Sequence, residues 1–212
     1  MKRSMKKLLT YKRMFSLIGL IFTGVAVINA LAYTSLTSLR YFTNQSNLIL
    51  FLIFIMIYFK KENHKLFKYI SFIGMLSIGI TGVVYHLLLT DLMIPSTVVT
   101  IYDLNNFLNF LVHTFNPIYF VFYYLIFVNE NVTYKKLWVG LIHPLLYFII
   151  ILATGPFTGF YAYPFLDVSL NGLGEVLKIT LVIMMPLIII FDILILFVKQ
   201  KVSKFISKYL LK

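Results

Sequence analysis

The residues with most chemical potential are histidines, hydroxyls and amides set within apolar runs. Asn105, Asn109 and His113 recur at i, i+4 and i+8, so they share one helix face. Pro117 follows His113 by four residues and frees the His113 carbonyl from its helical bond, opening a place for a partner or a kink. A second polar set, Thr43-Asn44-Gln45-Ser46-Asn47, opens a different apolar run, and Tyr85-His86 closes a third. A hydroxyl, two imidazoles and several amides make an acyl-transfer set. A hydroxyl would attack, a histidine would take its proton, and amide donors would hold the oxyanion, with Asn47, Asn109, His86 and Tyr85 as candidates for substrate or oxyanion support.

Other readings of these residues stay open. Amides and hydroxyls also join membrane helices through hydrogen bonds worth about 0.6 kcal/mol each. Asn44, Gln45 and Ser46 read as packing or capping groups on that basis. His86 alone would read as a structural hydrogen-bonding group, and His64 as a solvated residue in a basic loop. His143, directly before Pro144, reads as structural and is placed in the inner half of its run, away from the others. The chain has no cysteine, which excludes thiolates, disulfides and Cys-ligated metals. Carboxylates are too few near His86 and His113 to favour a metal site. No cofactor and no metal are expected.

These groups need elements to position them, and composition says which. The chain has 212 residues, 60% of them hydrophobic and 12% charged, with a mean hydropathy of +0.91. A soluble domain is roughly 45–50% apolar and about 25% charged. At about 20 residues per crossing, this much apolar sequence supplies about six spans and leaves only short loops. The runs fall at about 14–36, 41–59, 67–90, 105–128, 137–154 and 173–198. None shows the period-2 alternation of a strand. The expected fold is therefore all-α: a single six-span membrane domain over residues 1–212. Ala30-Leu31-Ala32 matches a signal-cleavage pattern, but the apolar run before it is too long for a signal peptide and reads as an uncleaved span.

Charge gives the orientation. The net charge is +12, and 17 of the 19 Lys and Arg fall in the N-terminal stretch, around residues 60–68, at 135–136 and after 198. Only Arg40 and Lys178 lie at the other ends of the runs. The positive-inside rule places both termini in the cytoplasm, and a basic balance of this kind answers to membrane topology rather than to nucleic acid. The segment 199–212 reads as a basic amphipathic tail on anionic headgroups. On this topology Thr43, Tyr85, His86 and His113 all lie in the outer half. His113 would sit about 12 Å in from Asn105 at 1.5 Å per residue. Asp192, inside the last run, reads as a structural carboxylate, and Glu175 with Lys178 as an interfacial pair. Two outer loops, 91–104 and 155–172, lack Lys and Arg, and the second would rest at the interface or fold back over the bundle. The excess of Lys over Arg, with abundant Ile, Phe, Tyr and Asn, fits an AT-rich bacterial genome and a plasma-membrane location.

Several strings carry a resemblance. Tyr41-Phe42-Thr43-Asn44-Gln45-Ser46-Asn47-Leu48, Val84-Tyr85-His86-Leu87-Leu88, His113-x-x-x-Pro117 and Tyr163-Pro164-Phe165-Leu166-Asp167 resemble the bacterial predicted-six-pass membrane family. That family is similar in turn to the eukaryotic androgen-induced membrane proteins, threonine hydrolases of fatty-acid esters of hydroxy fatty acids. Leu108-Asn109-x-x-x-His113-Thr114 looks like their histidine motif. The resemblance implies Thr43 as nucleophile, His113 as its base, and a lipid ester as substrate. Where the eukaryotic pattern has a second histidine after the Asn, this chain has Phe110. Two other functions remain on the page: a small transporter or channel using the polar layer as a path, and a non-catalytic lipid- or partner-binding protein.

Overall fold

The computed structural model describes residues 2–89, 104–128 and 132–209, and these residues form helices with no strands. Helix α1 (Lys2–Thr34) ends where Ser35 takes a left-handed φ of 54°. A 3-10 turn (Ser35–Arg40) leads into α2 (Phe42–Tyr58), and α3 (Phe67–Val84) runs on into a wide π turn, Tyr85–Leu89. Helices α4 (Leu104–Phe110) and α5 (Asn116–Phe127) are one rod, joined through a π segment at Leu111–Phe115. Helix α6 (Trp138–Thr158) is followed by a 3-10 turn (Pro164–Leu166), α7 (Val168–Leu177), a π segment (Lys178–Met184) and α8 (Met185–Tyr209). The outer loop expected at 91–104 lies outside the described residues, apart from Leu104.

Among the described residues, five stretches are long and apolar enough to cross a membrane: Leu8–Ala32, Phe67–Leu89, Leu104–Phe127, Tyr134–Thr158 and Leu173–Tyr209. The sixth expected span is the 17-residue α2, which is apolar but shorter. At 1.5 Å per residue it is about 25 Å long, against about 30 Å of hydrocarbon. The preceding 3-10 turn shortens it, because the turn folds into the bundle. Asn44 Nδ2 donates to the Ser38 carbonyl at 2.9 Å, and Gln45 Nε2 to the Leu39 carbonyl at 2.6 Å. These amides satisfy turn carbonyls that lipid could not.

Helix α2 is the hub. Leu50, Ile53 and Phe54 are fully buried, packed among Phe72, Met75, Phe120 and Tyr123 of α3 and α5. Helix α1 lies close against it at Gly19, where an added Cβ would fall 2.3 Å from the Phe54 ring. Only glycine permits that approach. Lys12 and Glu62 form an ion pair of 2.8 Å at the opposite end of α2 from Thr43. Outward-facing surfaces carry large apolar side chains such as Phe122, Ile149, Phe157 and Phe197. That continuous exposed apolar surface has lipid, not water, as its natural solvent.

Two regions depart from the sequence expectation. Helix α6 continues through Gly155-Pro156 to Thr158 and stops where Gly159 adopts a left-handed φ of 65°. The loop expected at 155–172 therefore shrinks to 159–167, with α7 beginning at Val168. Asp167 caps α7: its Oδ1 accepts from the Ser169 hydroxyl at 2.5 Å and from the Ser169 and Leu170 amides at 2.8 and 3.3 Å. The Ser169 hydroxyl, with those amides, holds the Asp167 carboxyl below the usual carboxylate range.

The basic tail also differs. Residues 199–209 continue α8 rather than forming a separate segment. Lys199 is only 2% exposed, and its Nζ donates to the Tyr124 and Leu125 carbonyls at 2.9 and 2.8 Å. It caps the end of α5 and cannot reach headgroups. A cation is favoured at a helix C-terminus, where carbonyls lack partners.

Candidate functional site

The pairing expected of Thr43 and His113 is present. Thr43, the second residue of α2, places Oγ1 3.2 Å from His113 Nε2. His113 sits in the π segment between α4 and α5, and its Nδ1 lies 3.1 Å from the Asn109 carbonyl. A carbonyl only accepts, so Nδ1 carries the proton. Nε2 then presents its lone pair, and the Thr43 hydroxyl donates to it. This is the tautomer that a base needs toward a hydroxyl nucleophile.

The remaining predicted residues cluster around that pair, in a supporting arrangement. The Tyr85 ring stacks on the His113 imidazole, with centroids 4.1 Å apart and planes at 19°. Asn109 Nδ2 donates to the Tyr85 hydroxyl. Asn109 thus fixes His113 twice, through its own carbonyl and through the ring stacked on the imidazole. Asn47 is 1% exposed. Its Nδ2 donates to the Thr43 carbonyl at 2.9 Å and the Val112 carbonyl at 3.4 Å, while its Oδ1 accepts from Asn116 Nδ2 at 2.7 Å. The Val112 carbonyl belongs to the π segment, whose wide turn needs an outside partner. His86 Nε2 pairs with Thr114 Oγ1 at 2.9 Å, away from Thr43. The oxyanion role expected of Asn47 and Asn109 is not the one this geometry gives them, because both amides are engaged in positioning.

The donors nearest Thr43 are different. The Tyr163 hydroxyl lies near the Thr43 side chain and the Phe42 and Thr43 backbone. Tyr163 belongs to the 159–167 loop, and its side chain is buried against Tyr147 and Phe165. Its tyrosine-proline string was the available sequence signal, but nothing local ties that string to residue 43.

His143 is also misplaced by the sequence reading. Its Nδ1 lies 2.7 Å from Ser77 Oγ and its Nε2 2.9 Å from Gln45 Oε1, and Phe42 stacks on it at 4.7 Å. It shares the layer of Thr43's helix turn. The cause is stagger: the first turn of α2 sits inside the bundle, and Tyr147, one turn along α6, donates to the Arg40 carbonyl at 3.0 Å. The amide oxygen of Gln45 only accepts, so Nε2 carries the proton and Ser77 donates to Nδ1. This array clamps α2, α3 and α6 on the side of Phe42 that faces away from His113.

Two voids meet the Thr43–His113 pair. A cavity of about 80 Å³ is lined by Phe42, Thr43, Thr81, Tyr147, Tyr163 and Leu166. A groove of about 460 Å³ is lined by Gly82, His86, His113, Thr114, Pro117 and Phe191. Among the described residues no group of three or more His, Cys, Asp or Glu side chains could hold a metal ion. Comparisons with protein-family models, curated proteins and solved structures found no match.

Asn47→Leu keeps the volume but leaves the Asn116 amide and the Val112 carbonyl without partners. An unfolding midpoint in detergent should fall by the equivalent of about 2–4 kcal/mol, since each unsatisfied buried group costs about 1–3 kcal/mol.

Proposed function

We propose that this chain is a multi-pass protein of the bacterial plasma membrane that cleaves lipid esters, or transfers their acyl group, with Thr43 as nucleophile and His113 as base. It crosses six times with both termini in the cytoplasm, α2 serving as the short second span. The sidedness of 17 of the 19 cationic residues supports that orientation. The site then opens in the outer leaflet, where a lipid ester enters sideways from the bilayer. The observation that carries the reading is the 3.2 Å contact between Thr43 Oγ1 and a His113 ring whose tautomer is set by Asn109.

The chemistry follows from those atoms. His113 Nε2 takes the hydroxyl proton as Thr43 Oγ1 bonds to the ester carbonyl carbon. The Tyr163 hydroxyl donates to the oxyanion, an interaction strengthened by a dry site and by the nearby N-terminus of α2. Collapse breaks the ester bond, and His113 returns the proton to the departing alkoxide. The acyl-threonine then reacts with water, or with another alcohol, deprotonated by the same Nε2. Both the residues and the chemistry match what the resemblance to the androgen-induced threonine hydrolases implies.

A serine/threonine-reactive fluorophosphonate tests this on the purified protein. Labelling at Thr43 that disappears in Thr43→Ala and weakens in His113→Ala is the expected result. Labelling that survives Thr43→Ala unchanged removes Thr43 as nucleophile.

One observation favours a second reading, a proton-coupled transporter. Asp192 on α8 is 1% exposed, and among the described residues neither carboxylate oxygen has a hydrogen-bond partner. A carboxylate held so is stable only when protonated or paired with a cation. Flux in liposomes that depends on the protein and is lost in both Asp192→Asn and His113→Ala would select this reading.

A further inference from the structure

The Thr43–His113 pair lies between two voids that differ in kind. Thr43 is on the wall of the cavity and not of the groove, and His113 is on the wall of the groove and not of the cavity. The cavity is narrow and backed by buried groups: Ile80, Tyr147, Tyr163 and Leu166 are each less than a tenth exposed, while Val84, Phe148 and Met184 form a partly exposed rim. The groove is open along its side, with Val83 44%, Leu87 74% and Phe122 61% exposed. Its floor is shaped by close approach at Gly79 and Gly82. A Cβ on Gly79 would fall 2.5 Å from Phe191, and one on Gly82 3.0 Å from Pro117.

Proton bookkeeping assigns the two halves of an ester to these spaces. This step rests on the hydrolase reading above. The carbonyl carbon bonds to Thr43 Oγ1, so the acyl group stays with Thr43. The departing oxygen must receive its proton from His113 Nε2, within hydrogen-bond reach of that nitrogen. The alcohol half must therefore leave on the imidazole side. We infer that the acyl half of the substrate occupies the narrow cavity beneath the 159–167 loop and the alcohol half the wider groove between α3, α5 and α8, so that the enzyme selects a short or medium acyl group on a long lipid alcohol.

Sizes set the preference. A water-sized group needs about 10–15 Å³ by this measure, so a cavity of about 80 Å³ takes roughly five to eight such groups. Acyl chains beyond about eight carbons outrun that space and must pass its partly exposed rim. The groove, about 460 Å³ and open to lipid, sets no comparable limit on the alcohol.

The test uses the full-length protein in lipid nanodiscs with two ester series, read by mass spectrometry of the released acid. One series varies the acyl group from butanoyl to hexadecanoyl on hexadecanol. The other varies the alcohol from ethanol to hexadecanol with a hexanoyl group. The expected result is a fall in kcat/KM of about tenfold or more between hexanoyl and hexadecanoyl esters, with no fall as the alcohol lengthens. Val83→Trp, which narrows the groove from its lipid-exposed wall, should depress only the long alcohols. Ile188→Trp, on the cavity wall, should shift the acyl optimum to shorter chains. A preference for long acyl groups on short alcohols, or an exchange of the two variants' effects, overturns the inference while leaving the hydrolase reading standing. Absence of turnover on every ester removes both.

Discussion

Thr43→Ala and His113→Ala should each cost ester turnover at least about 10⁴-fold and about 10²–10⁴-fold respectively, while Thr43→Ser stays within about tenfold of the parent. Serine keeps the oxygen that faces Nε2 at 3.2 Å, and alanine removes it. Combining the two alanine substitutions should add little to the Thr43→Ala loss, because nucleophile and base act as a unit. Asn109→Leu separates placement from chemistry. It removes the amide that bonds to Tyr85 but keeps the backbone carbonyl under His113 Nδ1, so a smaller loss of about tenfold is expected. Release of acid from a lipid ester, compared at matched thermal stability, distinguishes these outcomes. Equal activity in all four variants would return the Thr43–His113 contact to the status of helix packing.

An effect on stability comparable to that of Asn47→Leu lies far from that pair. Lys199→Met should lower unfolding stability by on the order of 3 kcal/mol. Each charge-assisted hydrogen bond is worth about 1.5–3 kcal/mol, and the two at the Tyr124 and Leu125 carbonyls share one donor. The ammonium also sits over the Tyr124 ring, 5.5 Å from its centroid, a contact methionine replaces only in part. Asp192→Asn, one face along α8, should behave oppositely. The carboxylate has no partner to lose, so an amide of the same shape should be neutral or stabilising. Denaturation midpoints of the two variants in the same detergent provide the comparison. A loss in Asp192→Asn as large as in Lys199→Met would show that the carboxylate holds something, a proton or a cation, that asparagine cannot.

The physics of the bilayer explains which of these features could be read from residues alone. Apolar runs long enough to cross hydrocarbon announce themselves, because lipid leaves the backbone little choice but helix. The Asn109–His113 spacing was equally legible, since four residues put two side chains on one face whatever the surroundings. Spacing along one rod says nothing of stagger between rods. That is why His143 was placed apart from Thr43's helix turn, although it touches Gln45 and Ser77. Lys199 was read as a headgroup lysine because charge usually goes to water, and its carbonyl partners lie some 75 residues away in sequence. Asn47 illustrates a third limit. It lies against the Thr43 and Val112 carbonyls, but an amide's residue type cannot say whether it donates to a reaction or to a backbone carbonyl.

The shortness of α2 has its own result. Under the proposed six-span reading, a rod about 5 Å shorter than the hydrocarbon thickness thins the leaflet at one of its ends. Such thinning brings water and oily molecules to the same depth, and these are the two reactants that the proposed cleavage of a lipid ester must unite.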